Sequence, residues 1–407
     1  MAAQAGERQQ DAAEIFEALF TPAGRADPYP VYAALHDLGE AVRLGPGELV
    51  ALSYEVVNAV LRDPAYLVTD ADTMDGEDEH PSWFPGSLLS SNGQAHARMR
   101  TLLAGAFTPR RVAQLAPSIE RIGAQLIAGM AELGAGGQPV DFMASFAYLL
   151  PVNVICELLG VPEADRASFR PEARKLALGI DFNNDPGVLA AADTAALWLQ
   201  DYFADLAAMR RAVPADDLVS ALVDATGADR HLSDSELLVN LTLLLFAGFE
   251  TTTNLLGNGL NVMFSRPAIE SGLRAGSISP EAFVTEVLRF DSPVQASTDR
   301  WRREPGQLAG LELPAGGHVI PLIGAANRDP RRFSAPDTFD PDRPDAGALS
   351  FGAGPHFCLG AALARLEGAV AFPQLLSSFS TLTAAGEPVR RQGLALRGFD
   401  KLPVAVA

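Results

Sequence analysis

The 407-residue sequence contains little cysteine, few basic side chains and no long apolar run. Its two cysteines are too few for a disulfide framework or for a zinc site built on cysteine. Lys and Arg number 31 against 50 Asp and Glu, which gives a net charge of −19. So acidic a chain lacks the positive surface that general nucleic-acid binding requires, because such binding depends on displacing counterions from phosphates.

Segments that would anchor the chain in a membrane or divide it into domains are also missing. No stretch approaches the roughly 18 consecutive apolar residues that span a bilayer, and the polar start over residues 1–11 does not resemble a secretory signal. There is no internal repeat and no Gly/Ser linker. We therefore expect a cytoplasmic protein with one domain over residues 1–407, a disordered segment over 1–25, and no membrane or nucleic-acid partner.

Most of the sequence carries the apolar periodicity of amphipathic helices. Helices are predicted over 30–38, 54–62, 95–106, 112–133, 142–159, 163–178, 188–210, 216–224, 234–264, 280–290 and 359–377. Short β-segments are predicted near 40–52 and 295–325. The fold class is therefore mainly α with small β-sheets.

The longest predicted helix covers residues 234–264. Ser233 and Glu236 have the spacing of a capping box at its start. Between Glu236 and Glu250 it carries no charged residue. A helix that is apolar on nearly every face is buried, so the sequence predicts a long helix in the interior of the protein.

The two cysteines stand in different surroundings. Cys156 lies in an amphipathic helical pattern and is expected to be a buried core residue, whereas Cys358 sits among separated glycines and precedes the predicted helix over 359–377. Glycines permit a tight turn beside a flat ligand, and a helix N-terminus favours thiolate over thiol. A thiolate of this kind suits a haem iron. A structural cysteine, a reactive nucleophile and a disulfide between the two cysteines are the alternatives.

The stretch over 351–360 resembles the haem-ligand loop of the cytochrome P-450 family, Phe-x-x-Gly-x-His/Arg-x-Cys-x-Gly. The resemblance extends from about residue 28 to 403 in the family's motif order, and it is strongest to soluble bacterial members of actinomycete biosynthetic type. It implies a single P-450-type fold with the long helix over haem b, iron protoporphyrin IX, and Cys358 as the iron ligand. The positions that match the loop motif are Phe351, Gly354, His356, Cys358 and Gly360.

Glu286 and Arg289 are three residues apart, so they share one face of the predicted helix over 280–290. Taken alone, such a pair is usually a solvated surface pair of little energetic value. In the family's Glu-x-x-Arg motif the pair is buried and joined by an arginine from a later Pro-rich segment, a position that Arg343 matches. The resemblance therefore gives these three residues a structural role.

Haem carries two propionates, so its site needs cations. His96 and Arg100 are four residues apart and would face the same way on the predicted helix over 95–106. With Arg300 and His356 they match positions at which related enzymes hold the propionates. Guanidinium groups suit this role because they pair with carboxylates through two parallel hydrogen bonds.

The predicted oxygen-activating segment lies midway along the long helix. Ala247 and Gly248 are small and are expected to leave room for a diatomic ligand above the iron. Thr251 is expected to donate a hydrogen bond to the Ala247 carbonyl, which loosens the helix there. Glu250 is a carboxylate in an uncharged run, and burying it is costly unless it is paired or functional. The resemblance makes Glu250 and Thr251 the catalytic acid–alcohol pair; a salt-bridged Glu at a helix kink is the structural alternative.

Eight residues are expected to line the substrate pocket by their position in the resemblance: Phe84, Leu88, Phe182, Leu243, Leu244, Val294, Ala296 and Leu396. Their apolar side chains suggest an apolar substrate of medium to large size. An acidic cluster over 70–79 suggests contact with a cationic group, although a solvated loop is the simpler interpretation.

The resemblance implies a monooxygenase that inserts one atom of dioxygen into a natural product of secondary metabolism, by hydroxylation or epoxidation. No flavin or iron–sulfur segment is recognisable, so a separate ferredoxin and ferredoxin reductase would supply the electrons. Arg98, Arg110 and Arg111 are expected to form a basic docking patch for that donor. The protein is expected to be a monomer.

Other functions fit part of this pattern. The same fold could perform oxidative coupling, desaturation or peroxide-driven oxidation, although Glu250 and Thr251 together favour dioxygen. Outside the enzymes, a haem-binding gas sensor is the alternative, but no sequence remains for an output domain. A haem-free helical binding protein would leave the glycine-rich cysteine loop unexplained.

Overall fold

The structure is a computed structural model of the chain, and it describes residues 2–68, 84–180, 185–224, 231–344 and 347–407. The chain divides into two compact units. Unit 1 comprises Met1–Thr69, Ala282–Cys358 and Arg390–Gly398, and unit 2 comprises Asp70–Glu281, Leu359–Val389 and Phe399–Ala407.

Helices account for most of the described residues. They are α1 Ala2–Glu17, α2 Pro22–Ala26, α3 Tyr29–Leu38, α4 Tyr54–Arg62, α5 Gly93–Ala104, α6 Pro109–Gln114, α7 Ala116–Leu133, α8 Leu149–Leu159, α9 Arg166–Ile180, α10 Pro186–Ala212, α11 Leu218–Val223, α12 Asp234–Ser265, α13 Pro267–Ala275, α14 Pro280–Phe290, α15 Ile323–Ala326 and α16 Ala361–Ser378. A π-helical turn over Met143–Ala147 precedes α8. Within the described ranges, no helix is long and apolar enough to span a membrane.

The strands are short. They are β1 Ala41–Gly45, β2 Glu48–Ala51, β3 Val140–Asp141, β4 Arg300–Trp301, β5 Gly306–Leu308, β6 Leu311–Leu313, β7 His318–Pro321, β8 Leu382–Ala384, β9 Val389–Arg390, β10 Phe399–Lys401 and β11 Pro403–Val406. Unit 1 holds a four-stranded sheet in the order β1-β2-β7-β4 and the hairpin β5-β6. Unit 2 holds a three-stranded sheet in the order β3-β11-β8.

The four-stranded sheet of unit 1 is buried on both faces. Strands β2 and β7 pair in parallel, with Glu48 opposite His318, while the flanking pairs are antiparallel. Alternate residues over 49–52 pack in two different apolar clusters. Leu49 lies in one cluster and Val50 lies in the other. This explains why residues 49–52 form a continuous apolar run instead of an alternating one.

Helix α12 is the longest element of unit 2 and is buried along most of its length. The capping box predicted at its start is present, since Ser233 and Glu236 exchange side-chain and backbone hydrogen bonds. Its 32 residues make it about 48 Å long. A Cβ at Gly259 would lie 2.4 Å from the ring of Phe372, so glycine lets α16 approach α12 closely.

Two predicted segments differ from the structure. Residues 1–25 were expected to be disordered, yet α1 and α2 form there, because Ala12, Phe16 and Leu19 bury their side chains in the apolar core of unit 1. The single helix predicted over 112–133 is divided at Leu115 into α6 and α7. Pro117 lies in the first turn of α7, where its missing N–H costs nothing, but it could not lie inside one continuous helix without loss of a hydrogen bond.

Candidate active site

The cysteine loop of unit 1 is a tight turn that depends on glycine. Gly352 and Gly354 both have φ of +68°, a left-handed conformation that other residues adopt with strain. A Cβ on Gly354 would lie 2.4 Å from the carbonyl oxygen of Leu61, so no other residue fits there without a shift of the backbone. The amide of Cys358 donates to the carbonyl of Phe351 at 2.9 Å, which closes the turn.

This turn presents the Cys358 side chain at the surface of the unit. Cys358 is exposed and Cys156 is buried, and neither cysteine forms a disulfide. Burial raises the pKa of the Cys156 thiol to about 12, which keeps it protonated and unreactive. The expected core position of Cys156 is confirmed. Helix α16 begins only at Ala361, so Cys358 precedes the helix by three residues and does not open it as expected.

The structure places Glu286, Arg289 and Arg343 together in the interior of unit 1. Arg289 Nε and Nη2 donate to the two carboxylate oxygens of Glu286 at 2.8 and 2.7 Å, a bidentate pair that is fully buried. Arg343 Nε lies 3.6 Å from the same carboxylate. Both guanidinium groups also donate to backbone carbonyls of the Pro-rich segment, including that of Thr338. The cluster thereby fixes an irregular segment that has no secondary structure of its own.

Arg300 is a buried cation of unit 1. Its Nη1 donates to the carbonyl and hydroxyl of Thr298, both at 2.6 Å, and to the carbonyl of Asp299 at 3.2 Å. Within the described part of the chain, no carboxylate lies within ion-pair distance of the Arg300 guanidinium. Burial lowers the pKa of Arg300 to about 10, and the charge of Asp299 offsets only part of this. His356, the other predicted propionate ligand of this unit, is half-buried in the cysteine loop.

His96 and Arg100, the propionate ligands predicted in unit 2, lie one turn apart on α5. His96 is buried. Burial, followed by the positive charge of Arg100, lowers the pKa of His96 below its usual value. An anionic group beside this pair would relieve that repulsion, which is the electrostatic environment a propionate requires.

The middle of α12 has one accessible face. Ala247 is exposed and Thr251 half-exposed, although most residues of this helix are buried. Thr251 Oγ1 donates to the Ala247 carbonyl at 3.3 Å, which confirms the predicted bond. Glu250, which directly precedes Thr251 on the helix, is only 4% exposed. A small side chain, a hydroxyl and a buried carboxyl therefore lie within two turns of one helix.

Gly248 has a packing role in the structure. A Cβ on Gly248 would lie 2.6 Å from Cγ1 of Ile155, so this glycine lets α8 pack closely against α12. The direction of that Cβ differs from that of Ala247, because successive residues of a helix point about 100° apart.

Glu367 is a buried acid that the sequence analysis did not single out. It lies on α16 and is 1% exposed, and burial raises the pKa of its carboxyl well above the usual value. Burial therefore favours the protonated, uncharged form of this carboxyl. A carboxylate in the otherwise apolar run over 366–373 was the signal available in the sequence.

The predicted substrate residues fall into groups within each unit. In unit 2, Leu243 and Leu244 lie on α12, the Phe84 ring packs 6.0 Å from that of Phe246, and the Leu88 amide donates to Asn240 on α12 at 2.9 Å. In unit 1, Val294 and Leu396 form an antiparallel bridge. Ala296 instead packs in an apolar cluster of that unit. Phe182 and the acidic cluster over 70–79 lie outside the described residues.

The expected basic patch on unit 2 is smaller than predicted. Arg98 forms an ion pair with Glu236 and donates to the carbonyl of His231 at 2.9 Å, so α12 engages its guanidinium. Arg110 and Arg111 are exposed on α6. Of the three predicted arginines, only Arg110 and Arg111 are exposed to solvent, as a docking patch requires.

The donor set fits a haem. Among the residues that the structure describes, no group of three or more His, Cys, Asp or Glu could hold a metal ion by itself. One exposed thiol in a glycine turn instead suits an iron whose remaining ligands a macrocycle would supply. The buried Arg300, with no carboxylate in the described ranges at ion-pair distance, suits a propionate.

Comparison with known proteins agrees with this chemistry. A family model for cytochrome P-450 matches residues 280–396. The chain is 39% identical over 387 residues to cytochrome P-450 monooxygenase PikC of Streptomyces venezuelae, covering 93% of this chain and 91% of PikC. It is 34% identical over 359 residues to the polyketide biosynthesis cytochrome P-450 PksS of Bacillus subtilis, covering 88% and 85%.

Among solved structures, that of CYP164A2 from Mycobacterium smegmatis with econazole bound is similar over 97% of this chain and 100% of that chain, with a TM-score of 0.87 and 35% identity. These matches define an oxidoreductase of the haem-dependent monooxygenase class. The chain belongs to the cytochrome P-450 family, among its bacterial biosynthetic members of actinomycete type, and has the fold of that family. The predicted family and mainly α fold class are confirmed.

Proposed function

We propose that this enzyme inserts one atom of dioxygen into an apolar natural product of medium to large size, by hydroxylation or epoxidation. The observation that carries the proposal is the glycine turn that presents the Cys358 thiol, because that turn requires Gly354 and leaves the thiol accessible. The cofactor is haem b, which supplies the reductive activation of dioxygen when bound.

Cys358 would provide the thiolate that binds the iron, and Phe351, Gly360 and Ala247 would contact the macrocycle. The cations His96, Arg100, Arg300 and His356 would hold the propionates. Arg300 supports this role best, since a buried guanidinium is costly and a carboxylate partner removes that cost. Glu286, Arg289 and Arg343 hold the Pro-rich segment and take no part in the chemistry.

Glu250 and Thr251 move protons. The Thr251 hydroxyl lies on the accessible face of α12, where it could exchange its bond to the Ala247 carbonyl for one to another acceptor on that face. The bond is long at 3.3 Å, so its loss costs little. The carboxyl of the buried Glu250 passes a proton toward the Thr251 oxygen, through water. This acid–alcohol pair favours dioxygen over peroxide as oxidant.

The side chains that contact the substrate are apolar: Phe84, Leu88, Phe182, Leu243, Leu244, Val294, Ala296 and Leu396. The name of PksS assigns that relative to polyketide biosynthesis. A polyketide-derived compound has the size and low polarity that these leucines and phenylalanines favour. Electrons come from a ferredoxin and its reductase, and the enzyme acts as a monomer in the cytoplasm.

The purified protein should be reduced with dithionite and exposed to carbon monoxide, and the difference spectrum recorded. A Soret band shifted far to the red indicates thiolate-ligated haem, and its loss in Cys358→Ala with retention in Cys156→Ala assigns the ligand. A band at the position typical of histidine-ligated haem in the wild type would contradict the proposal. A subsequent screen of polyketides for spin-state shifts identifies the substrate class.

A further inference from the structure

Two segments of unit 1 that carry predicted substrate residues form a small two-stranded patch. Val294 and Leu396 are bridged in antiparallel register. The amide of Gln295 donates to the Ala395 carbonyl at 2.9 Å, and the amide of Arg397 donates to the Pro293 carbonyl at 2.8 Å. We call residues 293–295 and 395–397 the paired strip.

A buried ion pair joins the two sides of this strip. Asp291 lies three residues before Val294, and Arg397 directly follows Leu396. Arg397 Nε donates to Asp291 Oδ1 at 2.6 Å, and Tyr29 donates its hydroxyl to the same oxygen at 2.8 Å. Nη2 of Arg390 lies 3.4 Å from the other carboxylate oxygen.

The remaining donors of Arg397 extend the anchor to the N-terminal part of the unit. Its Nη1 and Nη2 donate to the carbonyls of Arg25 and Ala26, both at 3.1 Å. Arg397 and Asp291 are 7% and 4% exposed. Burial alone would raise the pKa of Asp291, but the charges of Arg397 and Arg390 and two hydrogen bonds hold it below its usual value. The carboxylate is therefore ionised throughout the neutral range.

An ion pair in this setting has only one low-energy arrangement. The guanidinium of Arg397 satisfies one carboxylate and two carbonyls at once, so displacement of the strip by even about 1 Å leaves buried charges unpaired. A bridge of two residues has too few backbone hydrogen bonds to hold its own position. Gln295 also bonds to Tyr32 and Gly324, which holds the Val294 side, and the polar cluster fixes Leu396 against it.

We propose that Asp291 and Arg397 are positioning residues that set how Val294 and Leu396 meet the substrate, and thereby determine which large ligands fit. This inference rests on the proposed function, because it assumes that these two apolar residues face the substrate. Neither Asp291 nor Arg397 contacts the ligand.

The test compares two azoles by absorbance titration of the haem-loaded protein. Imidazole is small and reports iron access alone, whereas econazole is large and apolar and also reports the pocket wall. In Arg397→Lys, the Kd for econazole should rise about tenfold, which corresponds to 1.4 kcal/mol. The Kd for imidazole should change less than about twofold. Equal changes for both azoles, or an unchanged econazole Kd, would overturn the proposal.

Arg210→Lys is the matched control. Arg210 also donates Nε to a buried carboxylate, Asp217 at 2.5 Å, and Nη2 to a carbonyl, Gly160 at 2.8 Å, but it lies in unit 2 on α10. Its substitution should lower the thermal midpoint by a similar amount and leave both azole affinities within about twofold. A selective loss of econazole binding in this control as well would make the effect a general consequence of destabilisation and would refute the inference.

Two further variants keep the test decisive. If Arg397→Lys does not fold, Tyr29→Phe removes one hydrogen bond to Asp291, and the econazole Kd should rise about threefold; no change refutes the proposal. Leu396→Ala should also weaken econazole selectively, and an unchanged Kd shows that the strip does not face the ligand. Absence of any azole spectrum in the wild type is a different result, because it refutes the proposed haem function itself.

Discussion

The side chain that Gly354 lacks would occupy space already taken by the Leu61 carbonyl oxygen. At the scale of single residues, the cysteine loop depends on the absence of one atom, a Cβ at Gly354. Gly316 is a suitable contrast, because it has a similar φ of +74° and nothing within 4 Å of the place its Cβ would take. The two glycines share a backbone conformation and differ only in surroundings.

Gly354→Ala should therefore destabilise the protein by at least about 2 kcal/mol more than Gly316→Ala, which pays only the conformational cost of about 1 kcal/mol. Urea unfolding of both variants measures the difference, and the haem content of Gly354→Ala should also fall. Equal losses of stability would show that the backbone at Leu61 moves to make room.

Two buried arginines of unit 1 differ in what they pair with. Arg289 neutralises Glu286, whereas Arg300 has only hydroxyl and carbonyl acceptors among the described residues. Arg289→Met should cost about 3–5 kcal/mol, because it removes the bidentate partner of the buried Glu286 carboxylate and leaves only Arg343 at 3.6 Å. Arg300→Met should change the stability of the haem-free protein by less than about 1 kcal/mol and weaken haem binding. Chemical unfolding and haem titration measure these effects, and a large loss of haem-free stability in Arg300→Met would contradict the assigned role.

At the scale of elements, neighbouring residues of one segment of α12 serve different purposes, helix packing and chemistry. Gly248 serves the contact with α8, while Ala247 and Thr251 remain accessible on another face. Mutations one residue apart should therefore act on different properties.

Gly248→Ala should destabilise the protein by about 1–3 kcal/mol, since its methyl group would overlap Ile155. In the double variant with Ile155→Ala the added methyl has space, so the two losses should be less than additive by at least about 0.5 kcal/mol. Thermal or urea unfolding of the four proteins gives this coupling energy. Strict additivity would mean that the helices separate instead of clashing.

At the scale of the whole molecule, the excess of acidic residues makes low pH the condition to examine. Asp291 has a pKa held below its usual value, so the stability it contributes is present above its unfolded pKa of about 3.9. That contribution is lost as the pH falls from there through the folded pKa. Asp291→Asn should lower stability at pH 7 and flatten the acid branch below about pH 4, whereas the exposed Asp216→Asn should change neither. Urea unfolding across pH measures both slopes; parallel slopes would contradict the prediction.

The same net charge makes the docking of an acidic electron donor depend on a local patch. Arg110→Glu with Arg111→Glu should slow reduction by a ferredoxin about tenfold at low salt, and the difference should vanish at high salt. The exposed Arg303→Glu, in unit 1, is the control and should have little effect. Stopped-flow measurement of the reduction rate tests this prediction. An unchanged rate at low salt would exclude Arg110 and Arg111 as a docking patch.

Much of the fold was predictable because it follows from local pattern. The start of α12 was predicted from two capping residues, and α3, α4 and α14 from periodicity to within a residue. The prediction was wrong where a boundary depends on one residue, as at Leu115, or where burial depends on distant partners, as for Phe16 in α1. A short stretch of sequence contains part of the information that sets a helix boundary. It contains none of the information about which distant residues bury a side chain.

The sequence by itself determined the class of enzyme, because the cysteine loop, the acid–alcohol pair and the Glu-x-x-Arg pair are each contained in a few adjacent residues. Only the tertiary structure decided which distant side chains pair to hold the surrounding segments in place. Asp291 and Arg397 are 106 residues apart, and nothing local to either predicts a bond between them. The same holds for Arg98, whose partner Glu236 lies 138 residues away. Chemistry carried by neighbouring residues can be read from their spacing, whereas pairing between distant charges is set by the burial that makes it necessary.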